Sequence, residues 1–188
     1  MRAIQKSIVS ISLFFSLFFI SIPAHALDAF SPTLNAGGKQ LVLNGKGQRT
    51  KFVLTLYNAG LYLEKKNKDA NSVMNANQTM ALKLQIVSGF ISSEKMTHAA
   101  KQGFANATGG KTAPIQAQIN QFLGAFKTPI KKGDIFEFTY TPTGGTKVVK
   151  NRKGITVIKG LPFKKALFGI WLSNRPAQTS LRNQLLGK

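Results

Sequence analysis

The sequence predicts an α+β fold, a large antiparallel sheet with a layer of helices on one face. Segments of two-residue periodicity and segments of helical periodicity fall in separate blocks, which disfavours a parallel sheet wound through alternating helices. The strand-like segments are also joined by short glycine-bearing stretches, Gly45-Lys46-Gly47, Gly144-Gly145 and Lys153-Gly154, of the kind that closes hairpins. No repeat and no composition break divides the chain, so 27–188 reads as a single domain.

Taken in order, residues 27–35 read as an irregular entry segment carrying Pro32, punctuated by Gly37-Gly38. Residues 39–43 form a short strand that turns through Gly45-Lys46-Gly47 into one long central strand reaching Glu64. Alternation places Phe52, Leu54, Leu56, Asn58 and Tyr62 on one face of that strand, and Val53, Thr55, Tyr57, Ala59, Leu61 and Leu63 on the other, with Arg49 sharing the second parity. The polar stretch 64–77 is a loop with room for one helical turn, and 79–87 is a strand with one apolar and one wetter face. Ser92 or Ser93 caps a helix whose Met96, Ala100, Gly103, Phe104 and Ala107 recur at helical spacing, and Thr108-Gly109-Gly110 stops it. Thr112 caps a second helix bearing Pro114, Ile115, Ile119, Phe122, Leu123 and Phe126, which ends at Pro129. Alternation returns over 134–140, and the two later glycine turns frame strands over 146–150 and 155–159. Phe163, Ala166, Leu167, Ile170 and Trp171 share a helical face; after Pro176, Leu181, Leu185 and Leu186 mark a last short helix.

The first residues have a different character. Arg2 and Lys6 precede an apolar run from Ile8 to Ile20, followed by Ala24-His25-Ala26, the pattern of a cleavable secretory signal peptide over 1–26 with cleavage after Ala26. A cysteine-free exported chain fits a bacterial periplasm better than a disulfide-dense secreted scaffold. Lys and Arg number 26 against 6 Asp and Glu, a formal net charge of +20. The cations are scattered without a nucleic-acid motif, so nucleic acid is not an expected partner; a solvated basic surface or contact with anionic membrane or glycolipid is.

Chemistry-bearing motifs are few. His98 is the only histidine beyond the signal segment, with neither cysteine nor a close carboxylate set to join it, so no metal and no cofactor is expected. Nucleophile-elbow, phosphate-loop and dinucleotide patterns are absent, since Gly45 and Gly47 open a strand and not a helix. Arg49 and Tyr57 remain as ligand-binding candidates: a guanidinium entering an apolar face is suited to bidentate capture of a carboxylate, and a phenol adds a further hydrogen bond. The alternative is structural, with Arg49 paired to Asp134 or Glu137 or lying in water at the strand mouth. Eight residues of straight strand span about 26 Å, so one head group reaches both side chains only if the strand bends.

The run 43–49, then Tyr57-Asn58-Ala59-Gly60-Leu61-Tyr62-Leu63, Ser93-Glu94-Lys95, Phe136-Glu137-Phe138-Thr139-Tyr140-Thr141-Pro142 and Ala166-Leu167-Phe168-Gly169-Ile170-Trp171-Leu172, resembles the bacterial chalcone isomerase-like proteins. The resemblance implies an open-faced β-sandwich with a pocket between sheet and helices. In the plant enzymes an Arg, two Thr, a Tyr and an Asn form the site; here only the Arg is matched, at Arg49. The strand Thr falls on Tyr57, the Tyr and Asn on Ser92 and Ala99, and the last Thr near Ile170. An Arg with a Tyr in that strand position looks like the fatty-acid-binding members of the fold. The implied function is non-catalytic, periplasmic binding of a fatty acid or similar apolar carboxylate. An intramolecular lyase or isomerase using Arg49, and a structural envelope protein acting through its basic surface, are the alternatives.

Overall fold

The computed structural model describes residues 29–188, and the expected signal segment, 1–26, lies outside the described residues. Seven strands run as an antiparallel meander, each hydrogen-bonded to the next in chain order: β1 Thr33–Ala36, β2 Lys39–Lys51, β3 Leu54–Leu63, β4 Met80–Ile86, β5 Ile135–Thr141, β6 Gly145–Lys150 and β7 Lys153–Ile158. Five helices interrupt or follow them: α1 Ala70–Asn75, α2 Ser93–Ala107, α3 Gln116–Leu123, α4 Leu161–Leu172 and α5 Thr179–Leu185. Alternating side chains explain the layering. Tyr57, Ala59, Leu61 and Leu63 of β3, Leu82 and Leu84 of β4, and Phe136 and Phe138 of β5 point to one face and share a buried core with the helices. Among the described residues the opposite face is covered where Ala29 and Phe30 pack on Leu41, Tyr62 and Ala81. This is the α+β architecture expected from the sequence.

The interior is aromatic. Phe122 of α3 stands with its ring centroid 5.6 Å from Phe104, 5.3 Å from Phe126 and 5.3 Å from Phe138, joining two helical segments to the sheet. Small residues let α2 and α4 approach: a methyl at Gly103 would lie 2.8 Å from Ile170, and one at Gly169 would lie 2.9 Å from Ala107. The α2 stripe read from the sequence is therefore the α4 contact.

Several expectations about the chain's turns, strands and caps are corrected. Gly45-Lys46-Gly47 is no turn, because it lies inside β2, and the long central strand is two strands, β2 and β3, folded on each other at Phe52-Val53. The glycines answer to helix α5. A Cβ at Gly45 would collide with the Gln184 carbonyl oxygen and one at Gly47 with the Gln184 side chain. Asn44 sits at the adjacent register shift, where its Nδ2 donates to the carbonyls of Asn67 (3.0 Å) and Leu185 (2.8 Å). Gly45→Ala is accordingly expected to lower stability by ~1–3 kcal/mol through overpacking against backbone. A chemical denaturation curve indistinguishable from wild type would show that α5 does not seat there.

Residues 33–36 form β1 instead of an irregular entry, because Gly37 and Gly38, at φ 59° and 74°, close a tight hairpin onto β2. The last hairpin turns at Asn151-Arg152, φ 50° and 68°, two residues before the expected Lys153-Gly154. Thr112 does not cap α3. Its backbone is already helical, so its hydroxyl cannot reach back to the amides, and a 3-10 turn, Ala113–Ile115, leads into the helix. Ser92 does cap α2, accepting from the Lys95 amide, and Glu94 lies in the positive first turn.

Candidate functional site

The β2–β3 hairpin brings the two sequence candidates together. Arg49 pairs directly with Tyr57 across the strands, so their side chains share a face at neighbouring positions. The about 26 Å separation expected on one straight strand does not exist, because the chain reverses between the two residues.

Tyr57 is 8% exposed, and its hydroxyl oxygen accepts from the Trp171 indole Nε1 at 2.9 Å, which leaves the phenolic proton to donate. Burial pushes the phenol above its ordinary pKa, while the Trp171 donor and then the Arg49 charge pull it back. Tyr57 is thus a neutral donor at any physiological pH. Trp171 is held in turn by stacking on Phe138, 6.1 Å between centroids.

Arg49 is half-buried and surrounded by neutral acceptors. Its guanidinium donates to the Thr50 carbonyl at 2.7 Å and to the Gln178 side-chain oxygen at 2.9 Å. The Thr50 amide donates to the same Gln178 oxygen at 2.9 Å. The Gln178 amide nitrogen is fixed by Thr50 Oγ1 at 3.2 Å and Ser180 Oγ at 2.6 Å. One carbonyl oxygen therefore receives two converging N–H groups, one of them charged, in a position an anionic oxygen would fill equally well.

Neither proposed acidic partner of Arg49 is engaged with it. Asp134 takes Lys150 at 3.0 Å, the Asn151 side chain at 2.8 Å and the Lys131 amide at 2.9 Å. Those donors hold the Asp134 carboxyl below its ordinary pKa in spite of desolvation, the largest single influence, which acts to raise it. Glu137 accepts from Thr139 Oγ1 at 3.0 Å on the opposite sheet face. Ser92 spends its hydroxyl on the α2 cap, Ala99 is exposed, and Ile170 packs on Gly103.

Thr50, Trp171 and Gln178 were not picked out from the sequence. Trp171 read as one member of an apolar helical stripe, and Gln178 lies 129 residues from Arg49 in an unpatterned link between α4 and α5, so neither carried a local signal. His98 is exposed on α2, and among the described residues no group of three or more His, Cys, Asp or Glu is placed to hold a metal ion. Two cavities, of about 330 Å³ between β3, α1 and β4 and about 300 Å³ between α2 and α3, include neither Arg49 nor Tyr57 in their linings.

No curated protein matches the chain by sequence. Among solved structures, a fatty-acid binding protein of Arabidopsis thaliana is similar in fold, with a TM-score of 0.64, 14% identity, and 84% of this chain and 90% of that chain covered. The model of the chalcone isomerase-like family matches residues 27–187, which takes in every strand and helix described above, and the chain belongs to that family.

Proposed function

We propose that the protein is a non-catalytic binding protein for a fatty acid or similar apolar carboxylate, exported to a periplasm by its N-terminal segment. The observation that carries this reading is the half-buried Arg49, held by the neutral oxygens of Gln178 and Thr50 beside the buried Tyr57 donor. A ligand carboxylate would displace the Gln178 oxygen and take the Arg49 and Thr50 N–H groups, with the Tyr57 proton as a third donor. The fatty-acid-binding activity of the Arabidopsis thaliana protein of similar fold supports the ligand class. The apolar tail would lie between sheet and helices, and it enters only if the aromatic layer around Trp171 and Phe138 repacks. Each methylene buried there contributes ~0.8 kcal/mol, so tail length dominates affinity while the head group sets the chemical class.

An isomerase needs several donors placed around the reacting oxygen, each contributing about 10²–10³ in rate. The positions that would carry them, Ser92, Ala99 and Ile170, are occupied with helix capping, solvent and packing. Purified protein is expected to leave a chalcone at its uncatalysed rate of cyclisation, and Arg49-dependent turnover would overturn the binding reading.

Calorimetric titration with a long-chain carboxylate and with the corresponding alcohol tests the site. Arg49→Ala is expected to weaken the carboxylate by ~1.5–3 kcal/mol, roughly ten- to a hundred-fold, and to leave the alcohol unchanged. The ligand-free melting temperature should hardly move. A large loss of ligand-free stability together with an unchanged carboxylate preference would remove Arg49 from the site.

A further inference from the structure

The β2–β3 hairpin breaks the usual chemistry of its turn. Lys51 pairs with Leu54, so Phe52 and Val53 form a two-residue connection, and Phe52 takes φ 54° at the position where such turns favour glycine. Both side chains project into solvent, 92% and 96% exposed, and Leu54 follows at 43%. A locally disfavoured arrangement that displays a bulky aromatic is a feature that folding alone does not require. The loop after β4 runs beside this hairpin, because the amides of Val87 and Ser88 both donate to the Leu56 carbonyl, and it carries Phe90, 64% exposed.

The same end of the sheet is basic. Lys51 flanks the tip, and Lys95 at the start of α2 donates to the Phe90 carbonyl. Lys131 and Lys132 sit in the loop whose Gly133 amide donates to Ile86, and Arg152 and Lys153 belong to the turn whose Asn151 amide donates to Ile135. All six are exposed, and the nearby acids are the exposed Glu94 and the largely buried Asp134, which is already paired with Lys150. An apolar tip ringed by cations matches a layer of anionic head groups over hydrocarbon.

We propose that this end of the sheet docks onto an anionic phospholipid bilayer, with Phe52 and Val53 inserted between head groups and the surrounding lysines on phosphate. The occupant follows from size and charge. Three or four apolar side chains cover far less than the about 800 Å² per partner of a stable protein interface. A second copy of a chain with net charge +20 is repelled. The site described above lies at the docked end, since Arg49, near the end of β2, is three positions before Phe52 in the turn that follows. Docking does not depend on what Arg49 binds.

The chain starting at Leu27, which contains every described element, is sedimented with vesicles of phosphatidylcholine with and without phosphatidylglycerol. Binding is expected only with phosphatidylglycerol and should weaken with salt. Phe52→Ser combined with Val53→Ser should lower partitioning by about tenfold or more at an unchanged melting temperature. Lys131→Glu with Lys132→Glu should also lower it, while Lys65→Glu with Lys66→Glu, at the opposite end of the sheet, should not. Full binding by the Phe52→Ser, Val53→Ser protein overturns the proposal. Equal losses from the two charge reversals overturn it in favour of adsorption by net charge. A lipid-free dimer that the serine variant abolishes overturns it in favour of self-association.

Discussion

Lys164→Ala is expected to destabilise the protein by ~3–5 kcal/mol, the scale of breaking a buried charged contact and leaving its partners unpaired. Lys164 is on α4, is 0% exposed, and its ammonium donates to the carbonyls of Val73 (3.1 Å), Met74 (2.9 Å) and Ala76 (2.7 Å). Those carbonyls end α1, a helix of 6 residues too short to stand alone, whose negative pole the ammonium caps. The rings of Tyr140 and Phe168 lie 5.5 and 5.8 Å from the same nitrogen. Lys164→Met keeps most of the stem and loses the donors, so it should recover the packing part of the loss and retain a deficit of ~1–3 kcal/mol. Urea denaturation compares the three proteins, and equal stability of wild type and Lys164→Ala would show that α1 is held by something else.

The same residue gives a pH dependence with a definite sign. Burial, with a smaller contribution from Lys165, lowers the Lys164 pKa from 10.5 to about 8. Between those two values the unfolded chain holds the proton and the folded chain does not, so stability rises with pH through this window. Below about 8 both states are protonated and the dependence on this group vanishes. The rise should be smaller in Lys164→Met, which separates this lysine from the general relief of positive charge.

Phe122→Ala is expected to cost ~3–5 kcal/mol, the ordinary loss for a buried phenylalanine whose neighbours cannot close the space. Its ring meets Phe104, Phe126 and Phe138 edge-on and lies 6.0 Å from Phe163, so the deletion opens a hole among four aromatic side chains held on three different elements and the sheet. Phe122→Leu should lose less than half as much, since the remaining atoms can settle into the gap. A shifted urea midpoint with an unchanged slope is the expected readout. A cost under about 1 kcal/mol for Phe122→Ala would mean that α3 is not seated on the sheet.

Much of this was legible in the sequence. The two-residue alternation of β4 and β5 and the helical stripes of α2 and α4 named the buried faces, because each is a local pattern imposed by one sheet surface or one partner helix. Arg49 and Tyr57 were visible as polar groups entering an apolar face. What the sequence by itself could not place was the reversal between them. Gly45 and Gly47 look like a turn, while the true turn carries Phe52 and Val53, which look like strand. The glycines are small because α5, from 139 residues along the chain, lies against them, and that demand has no local signature. The composition and periodicity determined an antiparallel sheet under helices with a basic surface. Only the tertiary structure decided that Arg49 faces Tyr57, that the Gln178 side-chain oxygen accepts from both Arg49 and Thr50, and that a phenylalanine is held in water at the hairpin tip, because each depends on which distant backbone arrives to satisfy or exclude a side chain.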